Sequence, residues 1–88
     1  VQATRLLVYD AADRLDRHES VTMKAAMAKY KAGEVCNSVA YKALQIHGGY
    51  GYMQDYAIER MTRAARLVSI YEGTSEIQKL VISGNLLK

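Results

Sequence analysis

The chain has 88 residues, half of them hydrophobic, and a formal net charge of +3. A chain of this length forms one small domain that buries only about 60–65% of the surface its unfolded form exposes. The charge is compatible with anionic ligands but does not indicate a nucleic-acid-binding protein. No apolar run is long enough to predict a membrane span.

The composition predicts an all-α fold, an up-down helical bundle. The sequence contains no Pro, and it is rich in Ala, Leu, Met, Lys, Glu and Arg, which favour helices.

The single cysteine, Cys36, excludes an internal disulfide, fits a reducing compartment and is expected to be a buried structural thiol. His18 and His47 are far apart and have no companions at metal-ligand spacing, so no metal site is predicted.

The start of the chain suggests a fragment of a longer protein. There is no initiator Met, and Val1–Arg5 lacks the charged leader and apolar core of a signal peptide.

The first predicted helix runs from near residue 1 to about residue 16. Asp10 and Arg14, and likewise Asp13 and Arg17, are spaced for i, i+4 ion pairs. Its apolar face recurs every four residues, at Ala3, Leu7, Ala11 and Leu15.

The second predicted helix runs from about residue 21 to 46, with Ser20 as its N-cap. Gly33, in mid-helix, indicates a close contact between helices, and Gly48-Gly49 is expected to end the helix with a left-handed residue. Two apolar stripes predict that other helices cover it from more than one side. The stripes are Met23, Met27, Tyr30, Tyr41 and Leu44, and Ala28, Ala32, Val35, Val39, Ala43 and Ile46.

The third predicted helix has Asp55 as N-cap and continues to about Leu67. Its apolar positions are expected to face inward, and these are Ile58, Met61, Ala65 and Val68. Arginines recur every three residues on the other side, at Arg60, Arg63 and Arg66. This basic stripe is either a solvated face or a surface that pairs with phosphates or with a neighbouring subunit's carboxylates.

The last predicted helix runs from about residue 75 to 87. Ser75 and Gln78 fit a capping box, and Thr74 is a competing N-cap. Glu72 lies in a tight turn just before this helix, where a carboxylate either complements the helix dipole or is aimed into a site as a catalytic base. The face predicted to be buried comprises Ile77, Leu80, Val81, Gly84 and Leu87.

Two motifs resemble those of acyl-CoA dehydrogenases, flavoenzymes that oxidise acyl-CoA thioesters. Residues 70–78, I-Y-E-G-T-S-E-I-Q, resemble the family's Y-E-G-T signature, and residues 45–52, Q-I-H-G-G-Y-G-Y, resemble its Q-x-x-G-G-x-G-Y segment. Arg63-Ala64-Ala65-Arg66 is similar to the family's R-D-A-[RK] run, with Ala64 in place of the common Asp. The resemblance covers essentially the whole chain. It implies that residues 1–88 are a partial C-terminal helical-bundle domain, without the family's N-terminal helical domain, middle β-domain and first bundle helix.

The resemblance implies that Glu72 removes the α-proton of an acyl-CoA while the β-hydride passes to FAD, giving a trans-2-enoyl-CoA. A solvated carboxylate is a weak base for this proton, so we expect burial among Ile70, Tyr71 and Ile77 to strengthen it. The backbone N–H of Glu72 and a flavin ribityl hydroxyl would donate to the thioester oxygen. Gly73 would lie against the substrate.

The same matching implies the cofactor contacts and the partners. Thr74, Ser75 and Glu76 would contact FAD, and the ADP half of an FAD held by a neighbouring subunit would meet Gln45, Ile46, His47, Gly48 and Gly49. The family context implies a homotetramer or homodimer, electron-transferring flavoprotein as electron acceptor, and fatty acid β-oxidation. It also implies the cytoplasm of a bacterium or the mitochondrial matrix of a eukaryote. The fragment alone is expected to be inactive.

Two alternatives stay open at this point. One is a related acyl-CoA flavoenzyme, an oxidase or a decarboxylating dehydrogenase, which shares the base. The other is a non-enzymatic helical module that binds a partner or nucleic acid through its basic residues.

The presence of Glu72 in the turn favours short or medium, straight or lightly branched acyl groups, because family members with bulky substrates sometimes place the base on another helix.

Overall fold

A computed structural model describes all 88 residues, and the fold is all-α as predicted. Four α-helices follow one another, with one 3₁₀ turn after the second. They are α1 (Gln2–Asp16), α2 (Thr22–His47), the 3₁₀ turn (Gly48–Tyr52), α3 (Ala57–Leu67) and α4 (Ser75–Leu86). The predicted helix bounds are therefore confirmed to within about two residues. None of the helices is both long and apolar enough to cross a membrane.

Helix α2 is the axis of the molecule, which measures 49 × 24 × 17 Å. Its 26 residues extend about 39 Å, and α1, α3 and α4 all pack against it. The two apolar stripes correctly predicted this central position. Lys24 near the start of α2 lies 3.4 Å from Asp10 in α1, and Asn37 donates to the carbonyl of Ala65 in α3.

Ion pairs tie the end of α1 together as the spacing predicted. Arg14 Nε lies 3.0 Å from Asp10 Oδ1, and Arg17 Nη2 lies 2.9 Å from Asp13 Oδ2. The hydrogen bond from Arg14 to Asp10 holds the pKa of the Asp10 carboxyl below its usual value, and Lys24 lowers it further. This end of the molecule is consequently rich in paired charges.

Two predicted N-caps are wrong. Helix α2 begins after Val21 and α3 begins after Tyr56, and neither start has a side-chain cap. Both helices begin one or two residues later than the pattern suggested, which leaves Ser20 and Asp55 outside capping distance. At α2 the backbone alone closes the first turn, because Ala25 N donates to Val21 O at 2.7 Å.

The core is thinner than the apolar pattern predicted. Ile58 and Ala65 are buried as expected, but an open apolar groove of about 770 Å³ runs between α1, α2 and α3. Cys36 lines that groove and is exposed, so the expectation of a buried thiol is wrong. Further apolar positions assigned to the covered faces are exposed as well: Ala3, Leu15, Val39, Tyr41, Ile46, Met61, Ile77, Leu80, Gly84 and Leu87.

Two glycines occupy the positions that the sequence assigned to them. Gly33 is buried where α2 meets the chain after α3, and a Cβ there would lie 3.0 Å from Ser69 Oγ. Gly48 ends α2 with a φ of +64°, as predicted for a glycine at this boundary. The contact between Gly33 and Ser69 matters because Ser69 belongs to the segment between α3 and α4 that also contains Glu72.

Candidate active site

Residues 68–74 connect α3 to α4, and we call them the α3–α4 turn. Backbone hydrogen bonds between residues three apart follow the end of α3, and Ile70 N donates to Leu67 O at 2.9 Å. The chain then reverses at Glu72 and Gly73, where φ is +53° and +93°. Ser75 N donates to Ser69 O at 3.1 Å, which closes the turn at the start of α4. Glu72 is thus at the tip of a short, closed loop.

Glu72 is one of two non-glycine residues with a left-handed backbone, the other being His18. That conformation costs an L-residue about 1–2 kcal/mol, because Cβ crowds the following carbonyl oxygen. Strained backbone of this kind persists only when its surroundings over-determine it, and it concentrates at functional sites. Glu72 differs from His18 in lying in a turn whose carbonyl groups are bound by side chains of other helices, Lys29 and Gln78.

Side chains from two helices hold the carbonyl groups of the α3–α4 turn. Lys29 Nζ, from α2, donates to Val68 O at 3.0 Å and to Gly73 O at 2.7 Å. Gln78 Nε2, from α4, donates to Glu72 O at 3.3 Å and to Gly73 O at 3.2 Å. Backbone carbonyls that would otherwise need solvent are satisfied by these donors.

Asn37 secures the approach to the turn. Its Nδ2 lies 2.7 Å from Gly33 O, 3.0 Å from Ala65 O and 3.1 Å from Ser69 Oγ. These contacts join α2 to the last turn of α3 just before the chain reverses. Two residues of α2 therefore fix the position of Glu72. Asn37 binds the end of α3 and Ser69, and Lys29 binds Val68 O and Gly73 O.

The cap of α4 is Thr74, and the predicted capping box is wrong. Thr74 Oγ1 accepts from Ile77 N at 3.2 Å, whereas Gln78 reaches back to Glu72 and Gly73 instead of to Ser75. The capping box does not form, because the Ser75 N–H that would donate to Gln78 Oε1 donates to Ser69 O. Ser75 is 8% exposed.

The expected burial of Glu72 is not found within this chain. Glu72 is exposed, and the three apolar neighbours proposed for it, Ile70, Tyr71 and Ile77, are each about half exposed. The turn fixes the backbone of Glu72 but leaves its carboxylate open on the surface of these four helices.

Backbone donors around Glu72 are available to a ligand. The N–H groups of Glu72, Gly73, Thr74 and Glu76 donate to no acceptor within the chain. A polar cavity of about 420 Å³ lies at the start of α4, where Ser75 and Glu76 line it together with Arg66 from α3 and Glu34 from α2. Free N–H groups at the start of a 12-residue helix suit a polar or anionic acceptor, which fits the predicted flavin contacts at Thr74, Ser75 and Glu76.

The second group of predicted cofactor residues lies at the other end of α2. Gln45, Ile46, His47, Gly48 and Gly49 are all exposed. A Cβ added at Gly48 or Gly49 would meet nothing within 4 Å, so the backbone there is open to a ligand. His47 Nδ1 lies 2.8 Å from Ala43 O, its own helix, and faces no metal-binding companion.

The two groups do not come together within one chain. Helix α2 rises about 24 Å between Lys29, beneath the α3–α4 turn, and Gln45, at about 1.5 Å per residue. Thr74–Glu76 and Gln45–Gly49 therefore form separate patches at opposite ends of α2.

The sequence did not identify Lys29 and Asn37 as parts of the site. A signal was nevertheless present, because Lys29, Gly33 and Asn37 recur at i, i+4 and i+8 and so share one face of α2. That face is polar or small, between the two apolar stripes, and it lies against the α3–α4 turn. A polar stripe at helical spacing on a central helix is the pattern that indicates such a role.

The chain is similar to known proteins in both its sequence and its structure. The family model described as "Acyl-CoA dehydrogenase, C-terminal domain" matches residues 1–87. The caffeyl-CoA reductase–Etf complex subunit CarC of Acetobacterium woodii is 53% identical over all 88 residues, and the short-chain specific acyl-CoA dehydrogenase of Clostridium acetobutylicum is 49% identical over the same span. The butyryl-CoA dehydrogenase structure from Megasphaera elsdenii superposes with a TM-score of 0.96 and 44% identity over 99% of the chain. The chain spans 23% of the length of each of these three proteins.

Proposed function

The chain belongs to the acyl-CoA dehydrogenase family as its C-terminal domain, and we propose that it carries the catalytic base of an FAD-dependent enzyme that acts on acyl-CoA thioesters. The observation that carries this proposal is the strained, left-handed Glu72 at the tip of a turn whose carbonyls are held by Lys29 and Gln78. Strain that is maintained by dedicated hydrogen bonds indicates that the position of this carboxylate matters.

In the proposed reaction, Glu72 removes a proton from the α-carbon of the thioester. The electron pair left at the α-carbon forms the new α,β double bond as a hydride leaves the β-carbon, which yields a trans-2-enoyl-CoA. FAD, when bound, supplies the acceptor for that hydride. The free N–H of Glu72 is available to hydrogen-bond the thioester oxygen, where negative charge develops as the proton leaves.

Exclusion of water would make the Glu72 carboxylate a stronger base. The Glu72 carboxylate is exposed on this domain, so a bound acyl group and the cofactor would supply the apolar cover that strengthens it. Gly73 would allow the substrate to approach closely beside it. Its φ of +93° already reserves the position for glycine.

The cofactor contacts are proposed to be divided between subunits. Thr74, Ser75 and Glu76 would contact the flavin that serves Glu72, through the N–H groups at the start of α4. Gln45–Gly49, about 24 Å away along α2, would contact the ADP half of a flavin in a neighbouring subunit. The separation of the two patches along α2 supports a homodimer or homotetramer in which two subunits contact each flavin.

Electron-transferring flavoprotein is the proposed redox partner. The name of the Acetobacterium relative couples it to an Etf complex, and that relative is similar over the whole of this chain. Short or medium, straight or lightly branched acyl groups are the proposed substrates, in agreement with the short-chain enzyme among the relatives.

Reduction of an enoyl-CoA is a second candidate function. It is favoured by the caffeyl-CoA reductase, which is 53% identical to this chain. In that direction the protonated Glu72 would donate a proton to the α-carbon, because the same group serves both directions of a reversible step. The residues of the turn would have the same roles in either case.

The test uses the complete flavoprotein that contains this domain, with Glu72→Gln and, as matched control, Glu59→Gln on α3. Each protein is mixed anaerobically with a panel of acyl-CoAs while the flavin absorbance is followed. We expect bleaching by wild type and by the control, and its loss in Glu72→Gln with flavin still bound. Equal bleaching in Glu72→Gln would refute the role of Glu72. Bleaching only by reduced electron donors, followed by oxidation with enoyl-CoA, would favour the reductive direction.

A further inference from the structure

The carbonyl groups on both sides of Glu72 are bound by side chains from outside the α3–α4 turn. We call Lys29 and Gln78 the carbonyl clamp. The Lys29 ammonium bridges Val68 O and Gly73 O, four residues before and one residue after Glu72. Gln78 adds Glu72 O and a second bond to Gly73 O. Three carbonyls of one seven-residue segment are therefore held by two side chains.

Lys29 is committed to this contact. It is half-buried, and no carboxylate lies within ion-pairing distance of its ammonium group. Its other close neighbour is the ring of Tyr71, whose centroid is 5.9 Å from Nζ. Hydrogen bonds from a charged donor are shorter and stronger than neutral ones, which agrees with the 2.7 Å distance to Gly73 O.

The bridge limits the shape of the turn. Because one ammonium group holds both Val68 O and Gly73 O, these two carbonyls cannot separate without breaking a bond. Glu72 lies between them and has an unfavourable left-handed backbone, followed by Gly73 with a second positive φ. Loss of the bridge would remove the only contact that holds Val68 O and Gly73 O together, and so favour relaxation of Glu72 towards the right-handed or extended region.

We propose that Lys29 and Gln78 are positioning residues for catalysis, which hold the Glu72 backbone so that its carboxylate and its N–H both face the acyl-CoA. This inference rests on the proposed role of Glu72 as base. Lys29 acts through the backbone and not as a counter-ion, because it forms no ion pair with the Glu72 carboxylate. A displacement of about 1 Å of a reacting group lowers rates by up to about 100-fold, so the clamp has a measurable consequence.

The experiment uses the complete flavoprotein with Lys29→Met, which keeps the length of the side chain and removes its donors. Lys31→Met is the matched control, because Lys31 lies on the same helix, is exposed and makes no hydrogen bond or ion pair. Two quantities are measured: the anaerobic rate of flavin bleaching as a function of acyl-CoA concentration, and the hydrogen–deuterium exchange of the peptide covering residues 68–76.

We expect Lys29→Met to lower the maximal bleaching rate by about 10- to 100-fold while the concentration for half-maximal rate changes by less than about threefold. Amide exchange in residues 68–76 should accelerate in the same variant. Lys31→Met should match wild type in both measurements. If Lys29→Met does not load flavin, Gln78→Met decides, with the same pattern and a rate lowered by about 3- to 10-fold.

The positioning role is overturned if Lys29→Met bleaches as fast as Lys31→Met. It is also overturned if the rate falls while exchange in residues 68–76 is unchanged, because Lys29 would then act by another route. Glu72→Gln is run in parallel to separate the two levels of inference. If Glu72→Gln is inactive and Lys29→Met is normal, only the clamp is wrong; if Glu72→Gln is active, the proposed function fails and the clamp's catalytic role fails with it.

Discussion

The α3–α4 turn and the glycine loop, residues 48–52, lie at different positions along α2 and are built in two different ways. At the α3–α4 turn, side chains from α2 and α4 donate to the carbonyl groups and hold a strained Glu72. At the glycine loop, backbone packs directly on backbone, and a Cβ at Gly51 would lie 2.8 Å from Leu44 O. The first arrangement fixes the backbone of Glu72, and the second leaves the main chain at Gly48 and Gly49 open.

The difference shows how each end could serve its proposed ligand. A base must be placed accurately, which calls for directional bonds from residues far away in the sequence, such as Lys29. A surface that receives the ADP half of a dinucleotide needs close approach of the backbone, which small residues provide. The comparison therefore predicts that the turn is sensitive to loss of donors and the loop is sensitive to added atoms.

The largest expected effect is in the glycine loop. Gly51→Ala should destabilise the protein by about 1–3 kcal/mol, because its Cβ would collide with the backbone of Leu44 and the Cβ of His47. Gly49→Ala is the matched control, with open space around the added methyl group. The free energy of unfolding is measured from urea denaturation followed by circular dichroism. Equal stability of the two variants would show that the loop is not closely packed.

The cap of α4 tests the other end of the comparison. Thr74→Ala should lower stability by about 1 kcal/mol, because it removes the oxygen that accepts from Ile77 N. Ser75→Ala should change stability by less than about 0.5 kcal/mol, since Ser75 is not the cap. The same denaturation measurement ranks the two variants. A larger effect at Ser75 would restore the capping box that the sequence suggested.

Relief of strain at Glu72 is expected to be of similar size and of opposite sign. Glu72→Gly should raise stability by about 1 kcal/mol relative to Glu72→Ala, because glycine accepts a φ of +53° without steric penalty. Both variants lack the carboxylate, so catalysis is lost in each while stability differs. Thermal unfolding compares them directly. If the two variants are equally stable, the turn does not store strain at Glu72.

The smallest effect concerns acid sensitivity, and it should appear at neither of these two regions. Arg14 and Lys24 lower the pKa of Asp10 from its ordinary value of 3.8, so the folded state favours the ionised carboxylate. The resulting stabilisation is complete above pH 3.8 and is lost as the pH falls through the lowered value. An acid titration of wild type and Asp10→Asn checks this. The variant should lose less stability on acidification than wild type does, and identical profiles would contradict it.

The sequence predicted the helices well because their determinants are local. Apolar positions that recur every three or four residues and the absence of Pro define the helical segments, and Gly48 marks the end of α2. The errors lie where distant residues compete. Gln78 was assigned to Ser75 three residues away, but it binds carbonyls in the preceding turn, and Ser20 and Asp55 lie just outside the helices they were expected to cap.

Burial was predicted less well, for a physical reason. Periodicity identifies the apolar face of a helix but not the element that covers it. Cys36, Met61 and Leu80 lie on such faces and are exposed in this fold. The clamp was also beyond sequence reasoning, because Lys29 contacts carbonyls 39 and 44 residues further along the chain. Only the Lys29–Gly33–Asn37 spacing hinted at it.

The most direct test of Glu72 as the base is exchange of the substrate's α-proton with solvent. The complete flavoprotein is incubated with an acyl-CoA in D₂O, and deuterium at the α-carbon is measured by mass spectrometry. We predict that wild type and Glu59→Gln incorporate deuterium and that Glu72→Gln, with flavin still bound, does not. Incorporation by Glu72→Gln at the wild-type rate would contradict the assignment and place the base on another residue.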